Sequence, residues 1–447
     1  MNTLRLAWKN IIKNPLNLGM SILLFGLGVG LITFIMLLND QLKDKFDKNL
    51  AEIDLVIGAK GSPLQMILCN MFHIDYPTGN ISIKEATPFL REGHPLIKKA
   101  IPLSLGDNYK SYRIVGTTPA LLDMYGAVVE SGRIWDTNFE VVIGKAIATD
   151  QNLKIGDKFI SSHGFVDDPD LAHGESSFEV VGILNGTGTV ADQLILTNTS
   201  TIWAVHDHGG GDSPTHDEED DQSDKNSHED HAHTDSKAEI KPVNNDTLAE
   251  AKINNSNAGL LTHPDKEITS VLIQYKSKTN FQALNFGRNI NENTDLQSAS
   301  PAIEINRLYS MIGVGSDMLG ALAYLIAFVS AVSIFISLLK TMRERKYELA
   351  LIRVMGGSRF KVFSLIILEG VILALIGYMI GMLLSHVGME ILSKFLKDEF
   401  RYSFSGWHFV REEIYLLAFS LFIGFIAALI PAVQASRTDI NKTLSEK

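Results

Sequence analysis

Apolar residues are concentrated in four long runs separated by polar segments. The runs cover residues 17–38, 318–339, 362–386 and 414–435, and each has at least 22 residues. At a helical rise of about 1.5 Å per residue, such a run can cross a hydrocarbon layer of roughly 30 Å. The pattern therefore predicts four transmembrane helices. The first run is longer than the apolar core of a signal peptide, so we expect it to be a retained anchor.

Between the first two runs, short segments rich in β-branched residues alternate with helix-like segments. Strands are predicted at Ile53–Gly58, Tyr112–Gly116, Glu140–Gly144, Phe178–Leu184, Gln193–Thr197 and Ser270–Tyr275. Helices are predicted at Pro119–Tyr125 and Lys145–Asn152. The predicted fold class is an α-helical membrane protein with four transmembrane helices and a large α+β domain of two lobes, inserted between helices 1 and 2.

Basic residues flank the apolar runs unequally and predict the orientation of the chain. Residues 340–361 contain seven basic residues and two acidic ones, and residues 1–16 contain three basic residues and no acidic one. Because positive side chains resist translocation, we expect both segments in the cytoplasm of a cell whose inner (plasma) membrane holds the protein. The other predicted segments are an extracytoplasmic domain at 39–317, a short extracytoplasmic loop at 387–413 and a cytoplasmic C-terminus at 436–447.

The formal net charge of −11 arises almost entirely in one insert. Residues 206–239 contain twelve acidic residues and two lysines, which gives a net charge of −10 there. Residues 206–260 have few large apolar side chains to offset their ordering entropy, so a disordered insert is predicted. Cys69 is the one cysteine of the sequence, which excludes an intrachain disulfide and a metal cage made of cysteines.

The insert also carries candidate metal ligands. Six histidines lie among its carboxylates: His206, His208, His216, His228, His231 and His233. Imidazole and carboxylate groups together suit zinc and other divalent transition metals. Their spacing does not specify a tetrahedral site, so we expect loose binding at several sites. Two interpretations remain, a His-rich loop that captures or senses divalent metal outside the membrane and a solvated acidic spacer.

The basic segment after the second run has the pattern of a short amphipathic helix. Its apolar stripe, at helical spacing, consists of Tyr347, Leu351, Val354 and Met355. Gly356 and Gly357 predict the end of this helix, and Ser358 is placed to cap the next one. From the pattern alone, the helix either docks a cytoplasmic partner or lies on anionic lipid.

Four segments resemble the MacB/FtsX-type ABC transporter permeases. The sequence of 343–358 resembles their coupling region, 368–370 the start of their third helix, 430–437 their closing Pro-Ala-x-x-Ala-x-Arg motif, and 144–157 a motif of their periplasmic core domain. With one helix, a large domain and three further helices, the resemblance covers nearly the whole chain. Residues 54–80 depart from the common MacB and LolC/LolE pattern and resemble a narrower branch of these permeases.

The resemblance implies a mechanism. Such permeases work as dimers, each chain docks to a separate ATPase subunit, and nucleotide-driven closure is relayed to the extracytoplasmic domains (mechanotransmission). The residues that it singles out for coupling are Arg345, Glu348, Leu351, Arg353, Gly356 and Gly357. The sequence has no Gly-x-x-x-x-Gly-Lys-Ser/Thr phosphate loop, so we expect a non-catalytic chain with ATP and Mg on its partner.

We therefore expect a transporter permease that exports, extracts or delivers an extracytoplasmic substrate, including metal-linked cargo. The expected partners are an ABC ATPase subunit, a second permease chain in a homodimer, the lipid membrane and a periplasmic substrate or adaptor protein, with no nucleic acid. The alternative is an FtsX-like signalling or scaffold protein that activates an extracytoplasmic partner. The large external part favours the transporter, because it resembles MacB- or Lol-type domains more than the small FtsX one.

Glu369 is an acid within the third apolar run. An acid in a membrane span costs on the order of 2.5–3.5 kcal/mol on insertion scales, so it should face protein or water. A structural contact, with the coupling segment or with a dimer partner, is favoured over a proton or ion site.

The segment 54–80 has two interpretations. In one, Gly58, Gly61 and Pro63 shape a substrate-facing loop near the membrane. Its polar contacts are His73 and Asp75. In the other, the segment is a strand, a turn and an amphipathic helix of the core.

Deleting residues 206–239 tests the metal hypothesis. We expect the full chain to bind several zinc ions in a calorimetric titration and the deletion variant to lose them. A variant with the six histidines replaced by asparagine keeps the acidic charge and separates imidazole ligation from attraction by carboxylates. An unchanged zinc stoichiometry after the deletion would leave only the solvated spacer.

Overall fold

The computed structural model describes residues 6–8, 15–162, 172–207, 255–400 and 404–437. The chain divides into two compact units. The helical unit comprises Met1–Phe46 and Asn306–Lys447, and the α+β unit comprises Asp47–Ile305.

The described residues form the predicted helices and strands and further ones that the sequence did not predict. The helices are α1 (Pro15–Leu50), α2 (Pro63–Met71), α3 (Ile83–Leu90), α4 (Ala120–Tyr125), α5 (Lys145–Asp150), α6 (Thr199–Asp207), α7 (Asn257–Leu260), α8 (Phe281–Asn293), α9 (Pro301–Glu344), α10 (Lys346–Val354), α11 (Arg359–Phe400) and α12 (Glu412–Ser436). The strands are β1 (Leu55–Ala59), β2 (Ile81–Ser82), β3 (Ile97–Tyr109), β4 (Tyr112–Thr117), β5 (Val129–Gly132), β6 (Glu140–Ile143), β7 (Lys158–Ser162), β8 (Ala172–Leu184), β9 (Ile195–Thr197), β10 (Glu267–Ile268), β11 (Ser270–Tyr275) and β12 (Leu296–Ala299).

In the part of the chain that the structure describes, four helices are long and apolar enough to span a membrane. They are α1, α9, α11 and α12, which confirms the predicted number. All four are longer than the apolar runs that they contain. Helix α1 continues to Leu50, and α9 begins at Pro301, where proline suits the first helical position.

Helix α11 packs closely against α1 and α12 through small residues. A Cβ at Gly381 would lie 2.6 Å from the carbonyl oxygen of Gly26 in α1. A Cβ at Gly370 would lie 2.5 Å from the Cβ of Ala428 in α12. Larger side chains at these positions would push the helices apart, as expected where membrane helices associate by van der Waals packing. Helix α11 therefore positions two of its neighbours.

Ten of the described strands form one mixed sheet in the α+β unit. Their order is β12-β1-β11-β3-β4-β9-β6-β8-β5, and β7 pairs with β3 and β8. The pairs β4/β9 and β6/β8 are parallel, whereas the other described pairs of this sheet are antiparallel. Each of the six segments predicted as strands overlaps an observed strand.

Two hydrophobic clusters are built on this sheet. One includes Ile57 of β1 and Val271 of β11, and the other includes Ile143 of β6 and Ile195 of β9. Because one sheet supplies both clusters, the predicted arrangement of two lobes is not confirmed.

Residues 54–80 begin as a strand, a turn and a helix. Pro63 is the first residue of α2, and the Oγ of Ser62 accepts a hydrogen bond from the backbone N–H of Gln65 at 3.4 Å. His73, beyond the other end of α2, is only 8% exposed. The hypothesis that His73 is a substrate-facing contact is therefore wrong, because its imidazole is enclosed in the core.

Burial keeps His73 neutral. Desolvation, followed by the positive charge of Arg113, lowers the pKa of His73 from its ordinary value of 6.5 to about 3. The unfolded chain therefore binds a proton at this residue between these two pH values, whereas the folded chain does not. The contribution of the neutral His73 to the free energy of unfolding is fully present above pH 6.5. It is lost as the pH falls toward the pKa of the folded state.

Acidification is expected to destabilise the α+β unit through His73. The linkage is at most about 1.4 kcal/mol per pH unit, or about 2 kcal/mol between pH 6.5 and pH 5. His73→Asn removes the titration and suits the positive φ of 54° at this position, so it should flatten the pH dependence. Melting of the full chain in detergent, followed by circular dichroism between pH 7.5 and pH 5, measures the effect.

His263→Asn is the matched control, at a half-buried position of the same unit. It should keep the pH dependence of the unaltered chain. The assignment of the pH dependence to His73 would be contradicted by equal flattening of that dependence in both variants. It would also be contradicted if His73→Asn left the pH dependence unchanged.

Candidate coupling site

Helix α10 lies between two of the long helices, in the segment that the sequence singled out. Helix α9 ends at Glu344, α10 begins at Lys346, and Arg345 between them has φ −107° and ψ 16°. The backbone N–H of Arg345 donates to the carbonyl oxygen of Thr341 at 3.1 Å, and its own carbonyl oxygen accepts from the N–H of Leu349 at 3.0 Å. Arg345 is therefore a hydrogen-bonded corner rather than a loose linker.

Two glycines end α10 in a Schellman motif. The N–H of Gly356 donates to the carbonyl oxygen of Arg353 at 3.1 Å, and the N–H of Gly357 donates to that of Ile352 at 2.9 Å. Gly356 has φ 91°, and a Cβ at Gly357 would lie 2.6 Å from the carbonyl oxygen of Ile352. The Oγ of Ser358 then accepts a backbone hydrogen bond from the first turn of α11 at 3.2 Å. The predicted helix end and the predicted cap are both confirmed.

Helix α10 has a buried face and an exposed face. Leu349 and Ala350 are buried, and Leu349 belongs to a hydrophobic cluster with residues of α9, α11 and α12. The apolar stripe predicted from the sequence is exposed, at 48% for Tyr347, 43% for Leu351, 58% for Val354 and 67% for Met355. Exposed apolar side chains at this spacing are typical of a helix that docks in a groove and also of one that lies on a lipid surface.

Arg345 links α10 to α11 by two ion pairs. Its Nε donates to Oε2 of Glu348 at 2.8 Å, and its Nη1 donates to Oε1 of Glu369 at 3.4 Å. The side chains of Arg345 and Glu369 are 12% and 7% exposed, whereas that of Glu348 is 45% exposed. The pair with Glu369 is therefore the more enclosed of the two, and loss of one partner there is the more costly.

The structure brings together residues that the sequence treated separately. Glu348 and Arg345, two of the residues singled out for coupling, contact each other. Glu369 contacts the coupling segment, which is one of the two contacts expected for it. Arg345 could not be identified as its partner, because no helical periodicity connects residues 24 positions apart. Leu351 lies on the exposed stripe of α10.

The predicted metal ligands lie outside the side chains that the structure describes. His206 is in the last turn of α6, and His208, His216, His228, His231 and His233 lie outside the described residues. Within the described ranges, no group of three or more His, Cys, Asp or Glu side chains could hold a metal ion. Zinc binding by the insert stays a prediction.

Two family models match the chain. Residues 18–253 match the MacB-like periplasmic core domain, which is more than half of the sequence, and residues 320–440 match the FtsX-like permease C-terminal. The second match includes α10 and the ion pair between Arg345 and Glu369 of α11.

The chain is also similar to the uncharacterized ABC transporter permease YknZ of Bacillus subtilis (strain 168). The two are 22% identical over 154 residues, which are 34% of this chain and 37% of that protein. The chain thus spans little more than a third of the length of this relative.

Removing either partner of the Arg345–Glu369 pair is expected to destabilise the helical unit. An uncompensated buried charge costs about 3–5 kcal/mol, so Arg345→Met and Glu369→Leu should each lower the melting temperature in detergent. The double variant leaves no unpaired charge at this contact and should lose less than the sum of the two single losses.

Arg343→Met is the matched control for this experiment, because Arg343 is exposed near the same end of α9. Equal losses in Arg343→Met and Arg345→Met, or a loss in the double variant that equals the sum of the two single losses, would show that the pair does not hold α10 to α11.

Proposed function

The chain belongs to the MacB/FtsX-type family of ABC transporter permeases, and on this basis we propose that it is the non-catalytic permease subunit of an ATP-driven complex. A separate ATPase subunit hydrolyses ATP with Mg, and this chain converts the closure of that subunit into motion of its own α+β unit. The exposed apolar stripe on α10 is the observation that carries the proposal.

The stripe supplies the docking surface. Fully burying an apolar side chain of this size contributes about 1.5–3 kcal/mol, so a groove that covers four half-exposed ones supports a stable contact. Lys346 and Arg353 lie on the same short helix and add positive charge beside the stripe. A helix set in a partner's groove is a recurrent form of recognition.

The contacts of α10 support transmission of force. The Arg345–Glu369 ion pair fixes the start of α10 to α11, and the Schellman motif fixes its end. Helix α11 in turn packs against α1 and α12. Helices α1 and α9 contain the two boundaries at which the chain passes between its units. In the proposal, displacement of α10 reaches the α+β unit through these two helices.

The proposed topology follows the basic residues. Both termini and residues 340–361 face the cytoplasm, residues 39–317 and 387–413 lie outside, and two copies form a homodimer in the inner membrane. The substrate is extracytoplasmic and is exported, extracted or delivered. The His-rich tract favours a metal-linked cargo, and a periplasmic adaptor is a further proposed partner.

An FtsX-like scaffold that activates an extracytoplasmic partner is the second candidate. The match of residues 320–440 to the FtsX-like permease C-terminal suits both functions, whereas the match of residues 18–253 to the MacB-like periplasmic core domain favours transport. Capture from native membranes with and without ATP separates them. A transporter releases its cargo on hydrolysis, and a scaffold keeps its partner through the cycle.

Leu351→Glu is expected to prevent docking of the ATPase subunit. A charge in the middle of the stripe would be buried without a partner, so at least about tenfold less ATPase subunit should co-purify from native membranes. Arg353→Glu and Gly356→Pro should abolish stimulation of ATP hydrolysis in nanodiscs, the first by reversing a charge and the second because proline cannot adopt φ 91°.

Lys340→Gln is the matched control, because it makes the same change in net charge at an exposed position of α9, outside α10 and its stripe. It should retain the ATPase subunit. All variants should remain inserted and dimeric. Stimulation that survives both Leu351→Glu and Gly356→Pro would place the docking site elsewhere.

A further inference from the structure

The α+β unit has a cavity of about 570 Å³ between α8, β1, β12 and the first turn of α9. Its apolar lining includes Leu55 and Ala283, which are buried, and Leu284 and Ile303, which are 70% and 66% exposed. The apolar wall thus runs from the core to the surface. The volume lies within the range of small-molecule sites, roughly 300–1,000 Å³.

Glu304 lines this cavity and is only 8% exposed. Its Oε2 is buried and has no hydrogen-bond partner among the described residues. The residue lies in the first turn of α9, where the helix dipole stabilises a negative charge. A carboxylate that is enclosed and lacks a partner is costly, and a ligand with a positive charge would offset that cost.

The other charged groups of the cavity are already paired. Oδ1 of Asp54 lies 3.1 Å from Nζ of Lys278, and its Oδ2 accepts the backbone N–H of Tyr275 at 2.7 Å. At the rim, Nε of Arg288 donates to Oε1 of Glu292 at 2.7 Å. Glu304 is therefore the acid of this cavity whose buried oxygen has no hydrogen-bond partner among the described residues.

We propose that this cavity binds an organic monocation, an ammonium or guanidinium group on a short apolar stem, with Glu304 as its counter-ion. The stem lies along Leu284 and Ile303, and the charged group reaches Glu304. The same chemistry is found in a free alkylamine and in a lysine or arginine side chain of a peptide. The inference goes beyond the proposed coupling and is independent of any ATPase subunit.

A metal ion and water are the competing occupants. Divalent cations need several oxygen, nitrogen or sulfur ligands, and in the described ranges Glu304 belongs to no cluster of that kind. Water can satisfy a buried oxygen but gains nothing from the apolar wall. Selectivity for a charged group on an apolar stem is thus the property to measure.

The full chain in phosphatidylcholine nanodiscs is titrated with butylamine and with 1-butanol, and binding is followed by saturation-transfer NMR against empty nanodiscs. We expect butylamine to bind and butanol to bind at least about tenfold more weakly, because butanol has no charge. N-acetyl-lysine methylamide is the peptide probe, and N-acetyl-norleucine methylamide is its uncharged match.

Glu304→Gln keeps the size of the side chain and should weaken binding of the charged probe at least about tenfold. Glu92→Gln makes the same change in net charge at an exposed turn of this unit and should leave binding unaltered. Ile303→Ser removes an exposed part of the apolar wall and should weaken both members of each probe pair.

Binding of both charged probes through Glu304 supports a site that accepts free amines, and binding of the lysine probe alone supports a peptide side chain as the source. Equal binding of charged and uncharged probes overturns the proposal. So does equal behaviour of Glu304→Gln and Glu92→Gln, provided that both variants melt as the unaltered chain does. Should Glu304→Gln fail to fold, the comparison of charged and uncharged probes on the unaltered chain decides.

Discussion

An acid inside an apolar helix has to be compensated, and here that requirement determines the geometry of the coupling segment. Glu369 lies ten residues into α11, about 15 Å along the helix axis, among residues that are almost all apolar. Arg345 reaches it from the corner between α9 and α10. Neither side chain would be stable alone in these surroundings, so the corner and the helix hold each other in position.

The short helix depends on that anchor. A helix of nine residues is unstable in isolation, so α10 needs tertiary contacts at both ends and on its buried face. Charge supplies the contact at its start, and the backbone geometry of Gly356 and Gly357 supplies the one at its end. Because these contacts involve the buried face and the two ends of α10, the apolar stripe stays exposed for a partner. A partner that binds a preorganised surface loses less conformational entropy than one that binds a loose loop.

The apolar pattern was sufficient to predict the number of membrane-spanning helices but not where they end. Helix α1 continues past Leu38 through charged residues, which are compatible with a helix but do not belong to an apolar run. Strands β4 and β11 were predictable because they are almost wholly buried and rich in β-branched residues. Strand β3 was missed because Pro102 and Gly106 within it disfavour a strand, although it lies between β11 and β4.

In the candidate site, too, local features were predictable from the sequence, whereas contacts between distant segments were not. The exposed stripe and the glycine turn are local features that follow from spacing and from backbone conformation, so the sequence was enough for them. The partner of Glu369 depends on how α9 and α11 pack, which no local pattern contains. The burial of His73 likewise follows from tertiary packing around the end of α2, so the sequence left both interpretations of this residue open.

Glu369 and Glu304 show how two buried acids of one chain can differ in role. Each lies in a long helix and is less than one-tenth exposed. The chain itself supplies a cation to Glu369, so that acid is accounted for by the fold. Among the described residues, Oε2 of Glu304 has no partner, although the adjacent Asp54 has two. A fold seldom leaves a carboxylate oxygen enclosed without a partner. This difference in partners therefore assigns Glu369 to the contact that fixes α10 to α11, and Glu304 to a ligand from outside the chain.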